Sequence, residues 1–349
     1  DVYKRQGHGN TLTEQIDKNS VSFRWIFLVF SLLALPAVSV AQQYYDPGLI
    51  QKTVDRTPAE YAPTGARLGS FTLKPGVELT WVNNDNIFYV ENNGASDNIL
   101  HIRPWINLLS DWSRHAMNLR LFADIGRYSD FENEDYEDYR ASLDGRFDIR
   151  RDSALSYYAA YMQLHEDRSS PDDVSGITPT VFDYYGYDIG YGHTFNRLTA
   201  KLNYRKFYTN YDDNFRSDGE VIDLQDRDRS RDEWALALEY GLAGGKTSLI
   251  AGASVNNIDY DQVFDNDGYL RSSKGYRYYA GVGFTFTSLL IGDLYATYAN
   301  QDYDDPSFND VSGWGLGAAL NWTPTEETNV NIRLETTPQE TIQAGSSGY

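Results

Sequence analysis

The sequence predicts an all-β fold, an antiparallel transmembrane β-barrel of the bacterial outer membrane, on three observations. Strand-length stretches alternate residue by residue between uncharged and charged side chains. The connections between them alternate between tight turns and long acidic loops. No apolar run of about eighteen residues, the length a membrane helix needs, follows residue 41.

The clearest stretch is Tyr139 to Arg150, YRASLDGRFDIR. Tyr139, Ala141, Leu143, Gly145, Phe147 and Ile149 alternate with Arg140, Ser142, Asp144, Arg146, Asp148 and Arg150. A period of two puts each set on its own face of an extended strand. One face suits lipid and the other needs water, which a barrel wall supplies together. A one-residue slip would turn Arg140 and Arg146 toward lipid at about 2 to 4 kcal/mol each near the midplane, so the pattern dictates the register.

The 349 residues include 28 Tyr, 28 Gly and 7 Trp, and no Cys. The mean hydropathy of -0.54 is that of a polar chain. A membrane barrel allows this, because only alternate residues meet lipid. The formal charge of -20 speaks against nucleic acid as a partner. It fits soluble loops, and more sharply divalent-cation bridging to an anionic outer leaflet.

In chain order, residues 1–20 are aperiodic and read as an upstream or artefactual segment. In 21–41, Arg24, the apolar run Trp25 to Leu35 and Ser39-Val40-Ala41 read as a signal peptide. Residues 42–67 carry Pro47, Pro58 and Pro63 without periodicity, as a periplasmic lead-in would.

The barrel is expected over 68–349. Phe71 to Trp81 alternates, whereas Ile99 to Leu109 has apolar residues on both faces and no assignable phase. Met117 to Ile125 sets Arg120, Phe122 and Asp124 opposite Leu119 and Leu121. After the organising strand come Leu155 to Gln163, also of unassigned phase, and the Tyr-rich Phe182 to Phe195. Leu198 to Arg205 sets Lys201, Asn203 and Arg205 inward, and Trp234 to Tyr240 does the same with Glu239. Thr247 to Asn256, then Arg277 to Phe286 with Arg277 inward, Leu290 to Ala299, Gly313 to Thr323 and Asn329 to Glu335 with Arg333 inward complete about thirteen strands.

Tight connections are expected at Ser110 to Ser113, Arg151 to Ser153, Asn196-Arg197 and Leu242 to Gly245. Long acidic ones are expected at 83–97, 166–179, 211–229, 257–273 and 301–310. Short turns on the periplasmic rim and long loops outside are the anatomy of outer-membrane barrels. An odd strand count and the tail Gln343 to Tyr349 predict C-terminal truncation of an even barrel of roughly 16 to 18 strands.

Arg120, Asp124, Arg140, Asp144, Arg146, Asp148, Lys201, Arg205, Glu239, Arg277 and Arg333 are the candidate lumen-lining residues. They form either a self-neutralising ladder or a screen that selects solutes by charge.

No motif points to catalysis, a cofactor or a metal. Gly241 to Thr247 is one residue short of a phosphate-binding loop and reads as a hairpin turn. Asp265-Asn266-Asp267-Gly268 and Asp302 to Asp305 lack full calcium-loop spacing and read as solvated loop tips with at most weak cation affinity. Ser113 and His115 have no assignable third member, and His101, His165 and His193 lack metal-ligand spacing.

Several segments resemble the outer-membrane β-barrel porin family found with exopolysaccharide gene clusters, the type 2 β-barrel porin-like family. They include Arg67 to Phe71, Asn84 to Phe88, Asp111 to His115, Asp138-Tyr139-Arg140, His165 to Arg168, Gln301 to Pro306, Asn321 to Pro324 and Ala344 to Tyr349. The resemblance implies a porin-like, non-enzymatic protein, a passive conduit or accessory pore linked to exopolysaccharide export. Outer-membrane lipid, lipopolysaccharide, the barrel-assembly machinery and surface polysaccharide or its export proteins are the expected partners. The alternative is a non-conducting scaffold or adhesin displaying acidic loops.

Overall fold

A computed structural model describes residues 65–287, 289–325, 328 and 330–334. The expected leader, the upstream segment, most of the lead-in and the tail lie outside the described residues.

Among the described residues there are sixteen strands: β1 (Ala66–Leu68), β2 (Phe71–Asn84), β3 (Asp97–Ser110), β4 (Ala116–Tyr128), β5 (Tyr136–Arg150), β6 (Ser153–His165), β7 (Val181–Phe195), β8 (Leu198–Tyr211), β9 (Asn214–Phe215), β10 (Val221–Ile222), β11 (Arg229–Gly241), β12 (Thr247–Tyr260), β13 (Ser273–Thr287), β14 (Leu290–Tyr303), β15 (Val311–Trp322) and β16 (Val330–Leu334). All but β9 and β10 form one antiparallel sheet of 14 strands in sequence order. β9 and β10 make a small hairpin inside the loop between β8 and β11.

The sheet has one more strand than the alternation predicts. β1 is too short to show a period, and it pairs with β2 across Gly69-Ser70 with Gly69 at φ 62°. Two-residue turns of this kind need a positive φ, which glycine adopts without steric cost. Asn196, at φ 56°, does the same between β7 and β8.

The two faces differ in chemistry and in exposure. Val77, Leu79, Trp81, Leu121, Phe147, Ile189, Leu236, Val255 and Leu294 lie on one face and are exposed, reaching 79% at Trp314. The other face carries the charges, yet Glu233 is 2% and Arg205 4% exposed. A single sheet has no second layer to bury its polar face, so the sheet curls with that face inside, and the side chains there cover one another. This geometry assigns both unresolved phases. His101, Arg103, Trp105 and Asn107 of β3 share the inner face with Glu78 and Phe122, and Ser156, Tyr158, Ala160 and Met162 of β6 share it with Arg146, Asp144, Ser142 and Arg140.

Aromatic residues on the outer face gather toward both strand ends. Trp81, Tyr139, Tyr161, Tyr185, Tyr208 and Trp314 lie toward the long loops, and Phe147, Phe195, Tyr240, Phe286 and Trp322 toward the short turns. Leu121, Leu143, Ile189 and Leu236 lie between, together with a ring cluster of Tyr187, Tyr204 and Trp234. Aromatic girdles toward both rims are what an outer-membrane barrel sets at the two bilayer interfaces.

Large rings also lie on the inner face, against glycines. A Cβ on Gly126 would run into the Tyr136 ring, and one on Gly252 into the Tyr279 ring. The glycines let these rings lie flat along the wall.

Candidate functional site

All the predicted charged residues lie on the inner face, because each shares its cross-strand row with another inner-face position. Arg120 faces Ser142, Asp124 faces Asp138, Lys201 faces Ala237, Glu239 faces Ile250, Arg277 faces Ser254 and Arg333 faces Ala319.

Several of the charges neutralise one another. Arg120 pairs with Asp144, which also accepts from Asn118 Nδ2 at 2.9 Å. Arg146 Nε lies 2.8 Å from Asp148, Arg140 Nη2 lies 3.9 Å from Asp138, and Arg205 Nε lies 3.4 Å from Asp188. Arg140 also lies over the Phe122 ring, 5.6 Å from its centroid.

The centre of one network is a residue that the sequence pattern missed. Arg103 donates to Asp124 at 2.8 Å and to Glu78 at 3.0 Å. Asp124 also contacts His101 Nδ1 at 3.3 Å, and the Tyr136 hydroxyl reaches the same nitrogen at 3.0 Å. Tyr136 stacks on His165 with centroids 3.7 Å apart, and His165 Nδ1 lies 2.8 Å from Asp138. The network crosses from β2 to β6. Its only cue in the sequence was Glu78, opposite Arg103 in the register.

Rings punctuate the inner face. Tyr184 and Phe207 stack at 5.1 Å with an interplanar angle of 6°, and Tyr158 lies 6.4 Å from Phe207. Tyr279 and Tyr295 meet edge to face at 5.8 Å beside buried Ile250.

The long loops depart from their expectation. They are acidic, but they are tied to one another in series by hydrogen bonds and ion pairs, fully buried at Glu166 and Arg227. Asp97, at the end of the β2–β3 loop, accepts the Asp130 and Phe131 amides of the β4–β5 loop. Glu134 takes a two-point bond at 2.8 Å from Arg168 of the β6–β7 loop, and Arg168 also reaches Asp173 and the Gly176 carbonyl. Glu166 takes another at 2.9 Å from Arg227 of the β8–β11 loop, and Arg227 lies 3.9 Å from the Tyr211 centroid. Asp226 accepts the Asn266 amide of the β12–β13 loop, and Asp305 of the β14–β15 loop accepts the Leu270 amide.

Asp265 and Asp305 are therefore not solvated loop tips. The Asp265 side chain is 7% exposed, caps its own turn at Asp267 and Tyr269, and bonds Arg271 at 2.7 Å. Among the described residues no cluster of three or more His, Cys, Asp or Glu is placed to hold a metal.

The remaining motifs have structural roles. The His115 ring stacks on Phe147 at 4.4 Å, and its Nδ1 accepts the Asp148 amide at 3.1 Å. Gly241 to Thr247 forms the β11–β12 turn, closed by the Leu242 amide on the Thr247 carbonyl and with Gly244 and Gly245 at positive φ.

Burial pushes the Asp173, Asp226 and Asp228 carboxyls above the ordinary carboxylate range. The folded loops thus bind more protons than the unfolded ones from about pH 4, the ordinary value, up to the raised values. Their contribution to loop stability is complete below that interval and is lost as pH rises through the folded pKa. Amide exchange of 166–180 and 212–228, corrected for intrinsic rates, is expected to show more protection at pH 5 than at pH 7. Protection that instead rises with pH contradicts this assignment.

No curated protein matches the chain. Solved structures similar to it include the TodX monoaromatic hydrocarbon channel, as a deltaS2 mutant, at 10% identity over 82% of this chain and 87% of that one, with a TM-score of 0.36. An outer membrane channel from Pseudomonas putida F1 matches at 12% identity over 74% of this chain and 96% of that one, with a TM-score of 0.38. The family model described as Putative beta-barrel porin 2 matches residues 57–349, and the chain belongs to that family of β-barrel porins.

Proposed function

We propose that the chain forms the wall of a passive outer-membrane pore, with Arg120, Asp124, Arg140, Asp144, Arg146, Asp148, Lys201, Arg205, Glu239, Arg277 and Arg333 lining its lumen, and that the solute it serves is an exopolysaccharide. The observation that carries this reading is the inner face itself, where near-neutral ion pairs alternate with aromatic rings such as Phe122, Tyr158, Tyr184 and Phe207. A sugar chain presents apolar ring faces and hydroxyls. Rings on the wall would stack on the former, and the paired charges would exchange hydrogen bonds with the latter. Passage is diffusion down a gradient, with no bond made or broken.

Membership of a porin family supports outer-membrane placement. The girdled outer face would contact lipid, the acidic rim would meet lipopolysaccharide through divalent cations, and the assembly machinery would insert the chain.

Stepwise conductance in planar bilayers tests the pore, and its block by a purified exopolysaccharide tests the solute. Arg140→Gln with Arg146→Gln is expected to raise cation over anion permeability. A unit charge pair at 4 Å is worth about 1 kcal/mol in water, or roughly five-fold. Unchanged selectivity would remove these arginines from the conducting path.

The serial ties between loops favour a second reading, a scaffold or adhesin with a closed rim. It predicts no conductance until the rim is loosened.

A further inference from the structure

Four loops line an open cavity of about 760 Å³, within the roughly 300 to 1,000 Å³ typical of small-molecule sites. Its apolar surface comes from Phe88, Phe131 and Ile177, and the two phenylalanines meet edge to face at 5.5 Å. The walls are held by bonds already described, Glu134 to Arg168 and Arg168 to the Gly176 carbonyl, and by the Ile177 amide on the Phe215 carbonyl at 2.9 Å. The cavity therefore exists before any ligand arrives.

Its lining is net negative, four carboxylates against the single cation Arg216. Glu134 is consumed by Arg168, and Arg216 bonds Glu220 at 3.3 Å. Asp130, Glu132 and Asp218 also line the cavity, and among the described residues no basic side chain pairs with them. Asp218 accepts a backbone amide, from Glu220 at 3.0 Å.

Carboxylates without counter-ions beside phenyl rings select an occupant by elimination. A small inorganic cation needs several converging oxygens, and the phenyl walls cannot replace its hydration shell. A neutral solute would leave the charge unused. An organic ammonium ion uses both features, its cation facing the carboxylates and ring edges and its carbon skeleton lying on the phenyl surface.

We infer that this four-loop cavity binds an organic ammonium ion carried on an apolar or sugar skeleton, such as a protonated amino sugar. The site lies in the loops and does not depend on conduction, so its failure and that of the pore are separable.

The test is calorimetric titration of the detergent-purified protein with the glucosamine disaccharide and with its di-N-acetylated form, which share a skeleton and differ in charge. The amine form is expected to bind at least ten-fold tighter than the acetylated form. Glu132→Gln and Asp218→Asn, conservative changes at exposed positions, are each expected to weaken the amine form several-fold and leave the acetylated form unchanged. Equal binding of the two sugars, binding of neither, or variants that bind like the parent would overturn the assignment.

Discussion

Replacing Arg168 with alanine is expected to release the β4–β5 and β6–β7 loops while leaving the sheet folded. The Arg168 side chain is 8% exposed and Glu134 6%, and their two-point bond is supplemented by Asp173 at 3.3 Å and the Gly176 carbonyl at 2.9 Å. Removing the guanidinium leaves Glu134 buried without its counter-charge, and breaking one side of such a pair costs about 3 to 5 kcal/mol. At about 1.4 kcal/mol per decade, the opened rim should become roughly a hundred-fold or more commoner. Hydrogen exchange across 129–135 and 166–180 reads this directly. Arg168→Lys should recover little, because an ammonium cannot reproduce the planar fork.

The control is Arg216→Ala. Its partner Glu220 lies at a similar distance, but both side chains are more than 60% exposed, and an exposed pair contributes under about 1 kcal/mol. Arg168→Met combined with Glu134→Leu should restore part of the loss, since no uncompensated charge then remains. If Arg168→Ala exchanges like Arg216→Ala, the loops are not held by their buried pairs. If the scaffold reading holds, Arg168→Ala should also produce conductance where the parent has none.

How much of this was legible depended on whether chemistry or distance carried the information. In β5 the two rows differ outright, ions against aliphatic and aromatic groups, so period, face and register followed from the residues alone. In β3 they do not differ. Trp105 faces inward although it is apolar, and Pro104 and Ile106 flank it facing outward, so Arg103 was hidden in a strand without a readable phase. Only pairing with Glu78 on one side and with β4 on the other reveals it as a network centre. The loops were legible as connections but not as a structure. Glu166 and Arg227 are 61 residues apart, and nothing local marks them as partners. Acidic loops rich in Asp and Asn are normally solvated, and the expectation failed at Asp265 because Arg271 and amides of its own loop reach it, and at Asp305 because the Leu270 amide of the neighbouring loop does. β1 escaped because three residues cannot display a period of two.

Two adjacent positions in β5 should differ sharply in their tolerance of a charge. Leu143 lies at mid-strand on the outer face, in the row of Leu119 and Ala159 and in line with exposed Tyr139 and Phe147. Ser142, next to it, faces inward between Arg120 and Ala160. Leu143→Arg is expected to lower folding stability in lipid vesicles by about 2 to 4 kcal/mol, the cost of an arginine facing the bilayer midplane. Ser142→Arg adds the same charge one residue away, where water and Asp144 are at hand. Its repulsion from Arg120 in that wet, screened setting should stay under about 1 kcal/mol. Equilibrium unfolding from vesicles in denaturant measures both. Because the comparison holds side chain, strand and depth nearly constant, the difference reports only which face meets lipid. Equal losses would mean the outer face is not the lipid face, and the girdles and the inward row of charges would then need a different solvent to explain them. The reverse order would place lipid against the charges, which the buried ion pairs of the inner face could not survive.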